Sequence, residues 1–377
     1  APYAASNRPL QCKKWIPISL RGVEKGDFAM IMGFPGSTSR YLTASQVRLR
    51  TESQNTPINL AGEAELNFMK SLMDSDKAMA LKYADDYMSL GNVVKNYGGM
   101  NESVKKTGLL NIKAEEEKAF RAFAQRSGRP EYANIIDRID SLVAAAKDTL
   151  HDYYLLRYTF GAQDFKYNKA QAGVVAASAA YVDEVGRMID ATDFDYDRQK
   201  MQLLAPYWSQ HRLLAMQPSF VTDDMKGYFD RLYSTSVYRS QEAFEAAFQD
   251  QNAAGTIAND VLDQHWAEYN RALEAYTPAL NRYRQKAAAL NRIYVRGLCE
   301  MYDWANSPDA NFTLRMTYGS VKPYSPRDAV HYDWRTYLNG MFEKENPNDP
   351  DYVVDEKLRG FYLKKDYGPY ADATGEL

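Results

Sequence analysis

Across the long middle of this chain, apolar residues recur at the spacing of a helix, while at both ends they recur at the spacing of a strand. Tyr132, Ile135, Ile136, Ile139, Leu142, Val143, Ala146, Leu150 and Tyr153 fall one, three or four residues apart, which places one apolar stripe on a long helix. Pro130 stands just ahead of it, where a missing N–H costs a helix start little. Toward the N-terminus, Trp15-Ile-Pro-Ile-Ser-Leu20 is a short apolar stretch with an edge-type proline, and Gly26-Asp27 leads into Phe28-Ala-Met-Ile-Met32, stopped by Gly33-Phe34-Pro35-Gly36. That pattern predicts a buried strand. Near Asn311 the period changes back, with Leu314, Met316 and Tyr318 alternating with polar residues. The expected fold class is mainly α: a large irregular helical domain with short β segments at both ends. The expected boundaries are residues 1–42 for the end of a β body, 43–310 for the helical domain and 311–377 for a return segment.

Further helices are predicted at Glu63–Met73, Asp76–Lys95, Ala114–Gln125, Ala170–Ala191, Asp195–Ala215, Asp223–Tyr233, Gln241–Gln249, Ile257–Tyr276 and Pro278–Trp304. Asn96-Tyr97-Gly98-Gly99, Ser127-Gly128, Phe160-Gly161 and Gln217-Pro218 read as turns between them. Ser325-Pro326-Arg327-Asp328 has the cap, proline and acid of a helix start. Asn346-Pro-Asn-Asp-Pro-Asp351 reads as a turn cluster before a short helix from about Val354 to Lys364. No period of 30 to 50 residues repeats, which argues against a helical solenoid.

Composition narrows the function classes. Forty-six basic and 49 acidic side chains are spread along the length, for a net charge of -3, so the basic face or tail of a nucleic-acid binder is missing. No apolar run reaches the length of a membrane span. Cys12 and Cys299 allow one disulfide or two free thiols. Tyrosine is abundant, at 29 residues, and its flat face with a polar tip suits half-wet grooves and helix packing alike.

Signatures of self-contained catalysis are missing from the sequence: there is no Gly-x-Ser-x-Gly elbow, no phosphate-binding glycine loop and no His-Glu-x-x-His. The four histidines, His151, His211, His265 and His331, are far apart and read as surface or core residues. Asp193, Asp195 and Asp197 resemble the start of a calcium loop, but Arg198 and Leu204 stand where that loop needs glycine and glutamate. Acids favoured at a helix start are the simpler reading, and neither metal nor cofactor is expected. Asn92 and Asn96 lie four residues apart near a predicted helix end. They either address one polar group together or end the helix before Gly98-Gly99.

Two longer segments carry a resemblance. Gly26-Asp-Phe-Ala-Met-Ile-Met-Gly-Phe-Pro-Gly-Ser-Thr-Ser-Arg-Tyr41 and Asp309-Ala-Asn-Phe-Thr-Leu-Arg-Met-Thr-Tyr-Gly-Ser-Val-Lys322 resemble segments of the bacterial dipeptidyl-peptidase 7 and dipeptidyl-peptidase 11 family of serine exopeptidases. Pro326-Arg-Asp-Ala-Val330, Glu343-Lys-Glu345 and Pro350-Asp-Tyr-Val-Val354 continue the match in the same order. The resemblance implies a chymotrypsin-like double β-barrel interrupted by a helical domain, removal of dipeptides from free peptide N-termini, a periplasmic or cell-surface location in a Gram-negative bacterium, and a homodimer. It implies oligopeptide substrates, and β-barrel portions of the same polypeptide as partners.

The family's serine segment would lie beyond Leu377, and its histidine and the aspartate of its His-Thr-Gly-Asp-Phe segment before Ala1. The resemblance therefore implies no catalytic triad residue in this sequence and no activity of it alone. Asp27 matches a second, non-catalytic Gly-Asp-Phe of the family. The family holds the substrate's α-amino group with an asparagine in a segment (Ala/Ser)-Asn-Tyr-Trp-Lys. Gly91-Asn92-Val93-Val94-Lys95 aligns with it, which makes Asn92 the matching residue, although Val93-Val94 replaces the aromatic pair. The other readings are a tyrosine-rich helical glycan-binding surface protein, which leaves the two long motifs without a reason, and a purely structural or dimerising domain.

Overall fold

The computed structural model describes residues 4–165, 181–209, 218–249, 253–349 and 352–377. The chain divides into two compact units, residues 39–308 and residues 1–38 with 309–377.

In the larger unit Thr43 opens the first helix through a capping box with Gln46. The helices are α1 (Ala44–Leu49), a π-helical turn (Arg50–Asn55), α2 (Thr56–Ser75), α3 (Lys77–Lys106), α4 (Leu109–Ser127), α5 (Ile135–Thr159), α6 (Tyr181–Ala191), α7 (Phe194–Ser209), α8 (Met225–Thr235), α9 (Gln241–Gln249), α10 (Ala253–Ala258) and α11 (Val261–Met301). Asp76 is the whole link between α2 and α3, and its side chain accepts from Ala78 N–H to cap α3. Gly108 and Gly128 sit at the start and end of α4 with φ of 62° and 65°, backbone that costs glycine little.

Two aromatic-rich clusters make most of the core. One gathers Leu155, Phe160, Met188, Trp208, Phe229 and Tyr238; the other gathers Phe120, Tyr132, Ile136, Ile139, Tyr294 and Leu298. The long helices α5 and α11 serve both. Ile135–Leu150 of α5 and Leu280–Leu298 of α11 enter the second cluster, while Leu155 and Leu156 of α5 and Leu262–Ala272 of α11 enter the first. At 41 residues α11 is about 60 Å long. A small third cluster of Met69, Tyr83 and Tyr196 joins α2, α3 and α7.

Three sequence expectations are corrected in this unit. The turn at Asn96-Tyr97-Gly98-Gly99 does not exist, because α3 runs through it to Lys106; α2 packs along this stretch, and tertiary packing overrides two weak helix formers. Ile257–Tyr276 and Pro278–Trp304 merge across Pro278 into α11. The stripe Tyr269, Ala272, Tyr276, Leu280 continues past the proline, so the core holds the helix that one lost N–H weakens. Helix α2 begins at Thr56 rather than Glu63. Residues 170–180 and 210–217, including His211 and Gln217, lie outside the described residues.

The smaller unit contains β1 (Phe28–Gly33), β2 (Arg315–Ser320), β3 (Tyr324–Arg327), β4 (Val330–Tyr332), α12 (Asn339–Phe342) and α13 (Glu356–Lys364). Strands β1 and β2 pair antiparallel from Phe28↔Ser320 to Gly33↔Arg315, which joins the two motif-bearing segments into one ribbon. Phe312 N–H donates to the carbonyls of Pro35 and Gly36, and Thr38 Oγ1 donates to Asp309 at 2.5 Å. The Phe28–Met32 run is a strand, but its expected burial is corrected: Phe28, Met30 and Met32 on one face and Ile31 on the other are all exposed, because a two-stranded ribbon covers neither face. The helix expected from Ser325 is also corrected, since Ser325–Arg327 lies in β3, paired with β4 in a hairpin. Pro326 cannot donate to a ladder, and the pairing is irregular between Tyr324 and Arg327.

Candidate functional site

The hairpin of α2 and α3, with α7 against it, forms a cleft of about 640 Å³. On α3, Lys82, Tyr83, Asp86, Ser89, Leu90 and Val93 recur every three or four residues and line one wall. Glu65 and Met69 of α2, Asp190 to Asp193 and Tyr196 complete it with Asp164. Five carboxylates (Glu65, Asp86, Asp164, Asp190, Asp193) face this space with Lys82 as the lining cation, so the cleft favours positively charged groups.

Behind the wall lies a buried ion network. Lys200 of α7 is 1% exposed, and its Nζ lies 2.5 Å from Asp164, 3.5 Å from Glu65 and 3.7 Å from Asp197. Burial works against its charge, and the three carboxylates outweigh that and raise its pKa. Asp197 is fully buried. It accepts from the backbone N–H groups of Asp164 and Phe165 and from Tyr233 Oη. Burial pushes its carboxyl up, as it does that of Glu65. At Asp193 burial also pushes up, but donors from Lys82, Tyr83 and the Tyr196 N–H overcome it and hold the carboxyl below its ordinary value. Burial and the Asp193 carboxylate together keep the Tyr83 phenol protonated.

The three aspartates that resemble a calcium loop go to separate partners. Asp193 caps α7 through Tyr196 N–H and bonds Lys82 and Tyr83, Asp195 pairs with Arg198, and Asp197 enters the buried network. Asn92 is exposed on α3. It is one residue, or about 100° of helix rotation, from Val93 on the cleft wall, and is not itself among the cleft residues. Asn96 lies within α3 and caps nothing. His151 lies beside Asp152. His265 is 2% exposed, its Nδ1 2.8 Å from Tyr228 Oη. Cys12 and Cys299 are free thiols.

A serine and a histidine do meet in the smaller unit. Ser325 Oγ lies 3.3 Å from His331 Nδ1 across the β3–β4 hairpin, in an exposed contact. Nucleophilic catalysis needs a third group orienting the base and donors for an oxyanion, and the described contacts of this pair supply neither.

Sequence reasoning missed the Lys200 network. The signal was available: Asp197, Lys200, Met201, Leu204, Ala205 and Trp208 follow helical spacing, so two charges occupy positions of an apolar stripe, and a buried charge is expected to be paired.

Comparisons with known proteins agree with this architecture. The family model described as Peptidase S46 matches residues 1–377. A dipeptidyl-peptidase 7 from Phocaeicola vulgatus is 34% identical over 402 residues, covering 100% of this chain and 55% of its own length. An Asp/Glu-specific dipeptidyl-peptidase from Porphyromonas gingivalis is 31% identical over 409 residues, with 100% and 55% covered. The crystal structure of Porphyromonas endodontalis DPP11 in complex with the dipeptide Arg-Glu superposes with a TM-score of 0.84 at 25% identity, covering 100% of this chain and 57% of that one. The chain thus spans little more than half the length of the curated relatives it matches, yet the family model and the shared fold run along all of it: it belongs to the peptidase S46 family.

Proposed function

We propose that this chain is the helical, substrate-gating region of a serine-type dipeptidyl-peptidase that releases dipeptides from the free N-termini of oligopeptides. The observation that carries this reading is the match to the peptidase family along the whole chain. In this reading the serine, histidine and aspartate come from the rest of the protein, and the exposed apolar ribbon β1–β2 continues into a chymotrypsin-like double β-barrel. The helical unit covers the active-site cleft of that barrel, and the parent works as a homodimer in the periplasm or at the cell surface of a Gram-negative bacterium.

Asn92 anchors the substrate. Its amide oxygen accepts from the α-ammonium group without adding a charge, and a fixed amine contact measures two residues to the scissile bond. The acidic cleft beside Asn92 draws the ammonium group toward that helix. The glycan-binding reading has less support, because Tyr83, Tyr132, Tyr196, Tyr233, Tyr238, Tyr269 and Tyr294 of the helical unit are buried packing residues.

The test is Asn92→Ala in the full-length enzyme. Loss of one hydrogen bond to a charged group lowers kcat/KM for free-N-terminus substrates by about 1.5–3 kcal/mol, roughly 10- to 150-fold. An unchanged value removes Asn92 from the amine site.

A further inference from the structure

Helices α2 and α3 approach each other through two notches. A Cβ placed on Gly62 would lie 2.5 Å from Val94 Cγ2 and 3.7 Å from Leu90 Cδ1, and a Cβ on Gly98 would lie 2.9 Å from Asn59 Oδ1. Each helix therefore contributes one glycine to receive a side chain of the other. Asn55 Nδ2 extends the seam by donating to Asn101 Oδ1 at 2.9 Å. Val94 is buried, whereas Asn92, two residues earlier, is exposed. Two residues are about 200° of rotation and 3 Å of rise, so Val94 points into the α2 seam while Asn92 points away from it.

We propose that Gly62 is a positioning residue for the substrate's α-amino contact, acting through Val94, with the Gly98–Asn59 notch fixing the same helix one turn away. This rests on the assignment of Asn92 as the amine anchor. Ordinary contact begins near 3.4 Å, so a methyl group at Gly62 needs about 1 Å more room; in this proposal the stiff, β-branched Val94 passes the shift to α3, enough to spoil a hydrogen bond to a reacting substrate.

The test uses the full-length enzyme and dipeptidyl substrates with free N-termini. Gly62→Ala raises KM about tenfold, with kcat per folded molecule close to the parent. Val94→Ala in the same chain removes the overlap and brings KM back. Val94→Leu, which lengthens the side chain seated in the notch, raises KM in the same direction and serves where Gly62→Ala does not fold. Placed on Asn92→Ala, Gly62→Ala adds no further rise. A loss of thermal stability and active fraction at unchanged KM overturns the positioning role, and so does a KM rise that persists in full on Asn92→Ala. If Asn92→Ala alone leaves KM unchanged, the anchor assignment fails instead, whatever Gly62→Ala does.

Discussion

His265 offers a way to measure how firmly the first aromatic cluster is closed. Its imidazole is 2% exposed, packed against Phe220 at 4.5 Å, Phe229 at 5.6 Å and Tyr228 at 5.7 Å between ring centroids. Nδ1 meets Tyr228 Oη, and Nε2 is buried without a partner. Burial pushes its pKa down from 6.5 to about 3. The folded state therefore binds its proton later than the unfolded state does. The neutral ring contributes its full stability above pH 6.5, and the contribution falls as pH drops through the window from 6.5 to about 3. At about pH 5 an unfolded histidine is almost wholly protonated while the buried ring is not, and RT ln(1 + 10^1.5) gives a loss of about 2 kcal/mol relative to about pH 7.5.

His265→Gln keeps an acceptor within reach of Tyr228 and removes the titration. The assay is native-state hydrogen exchange of the peptide covering the first turns of α11, corrected for intrinsic exchange, at the two pH values. The parent loses about 2 kcal/mol more protection than the variant on going to about pH 5. Equal pH dependence in the two proteins, or an imidazole NMR titration of the folded parent above about pH 5, refutes the claim that the cluster excludes water from this ring.

Lys200→Met strands Glu65, Asp164 and Asp197 together, and urea unfolding shows a loss of about 3–5 kcal/mol, partly restored by adding Asp164→Asn. Gly297→Ala places a Cβ 2.6 Å from Phe120 Cε2 and 3.3 Å from Tyr132 Cε1, so calorimetry shows a destabilisation of about 1–3 kcal/mol from overpacking. Ser325→Ala in the full-length enzyme leaves kcat unchanged if the Ser325–His331 contact is only a cross-strand bond; lost turnover makes that pair catalytic. Ala329, with φ of 59° in the β3–β4 turn, holds a conformation that costs non-glycine residues about 1–2 kcal/mol, so Ala329→Gly raises resistance of the hairpin to proteolysis.

Sequence exposed what depends on repeated local pattern and hid what depends on neighbours. The stripe from Ile135 to Leu150 became the buried face of α5, with Tyr132 buried in the 3-10 turn just before it, because apolar residues at helical spacing have one way to leave water. Gly98-Gly99 and Pro278 were misread as helix breaks because their cost is local and small, whereas the packing that outweighs it comes from α2 and from the continuous stripe of α11. Ser325-Pro326 satisfied the grammar of a helix start, but a proline suits an irregular edge strand as well. The buried Lys200 was legible only as a charge in an apolar register, and its three partners lie on other segments or another turn. Asn92 stands as a candidate anchor on family resemblance and on its four-residue spacing from Asn96, and its exposed place on α3 adds no physical sign of a ligand.

The α2–α3 hairpin is anchored differently from the rest of the helical unit. Helices α5 and α11 each bury residues in both large clusters, so shifting either disturbs the whole core. The hairpin contributes to neither large cluster: it meets α7 through the small Met69–Tyr83–Tyr196 cluster and α5 along α2, and between its helices runs a polar seam in which Asn55 Oδ1 and Asn59 Oδ1 are buried without partners among the described residues. A buried amide oxygen without a donor is costly, and such seams open at lower free energy than apolar cores. The helix carrying Asn92 can therefore shift without moving a buried residue of either large cluster. A substrate amine bound there would tighten this hairpin selectively, which hydrogen exchange with a bound non-cleavable peptide would register as protection of α3 with little change in α5 or α11.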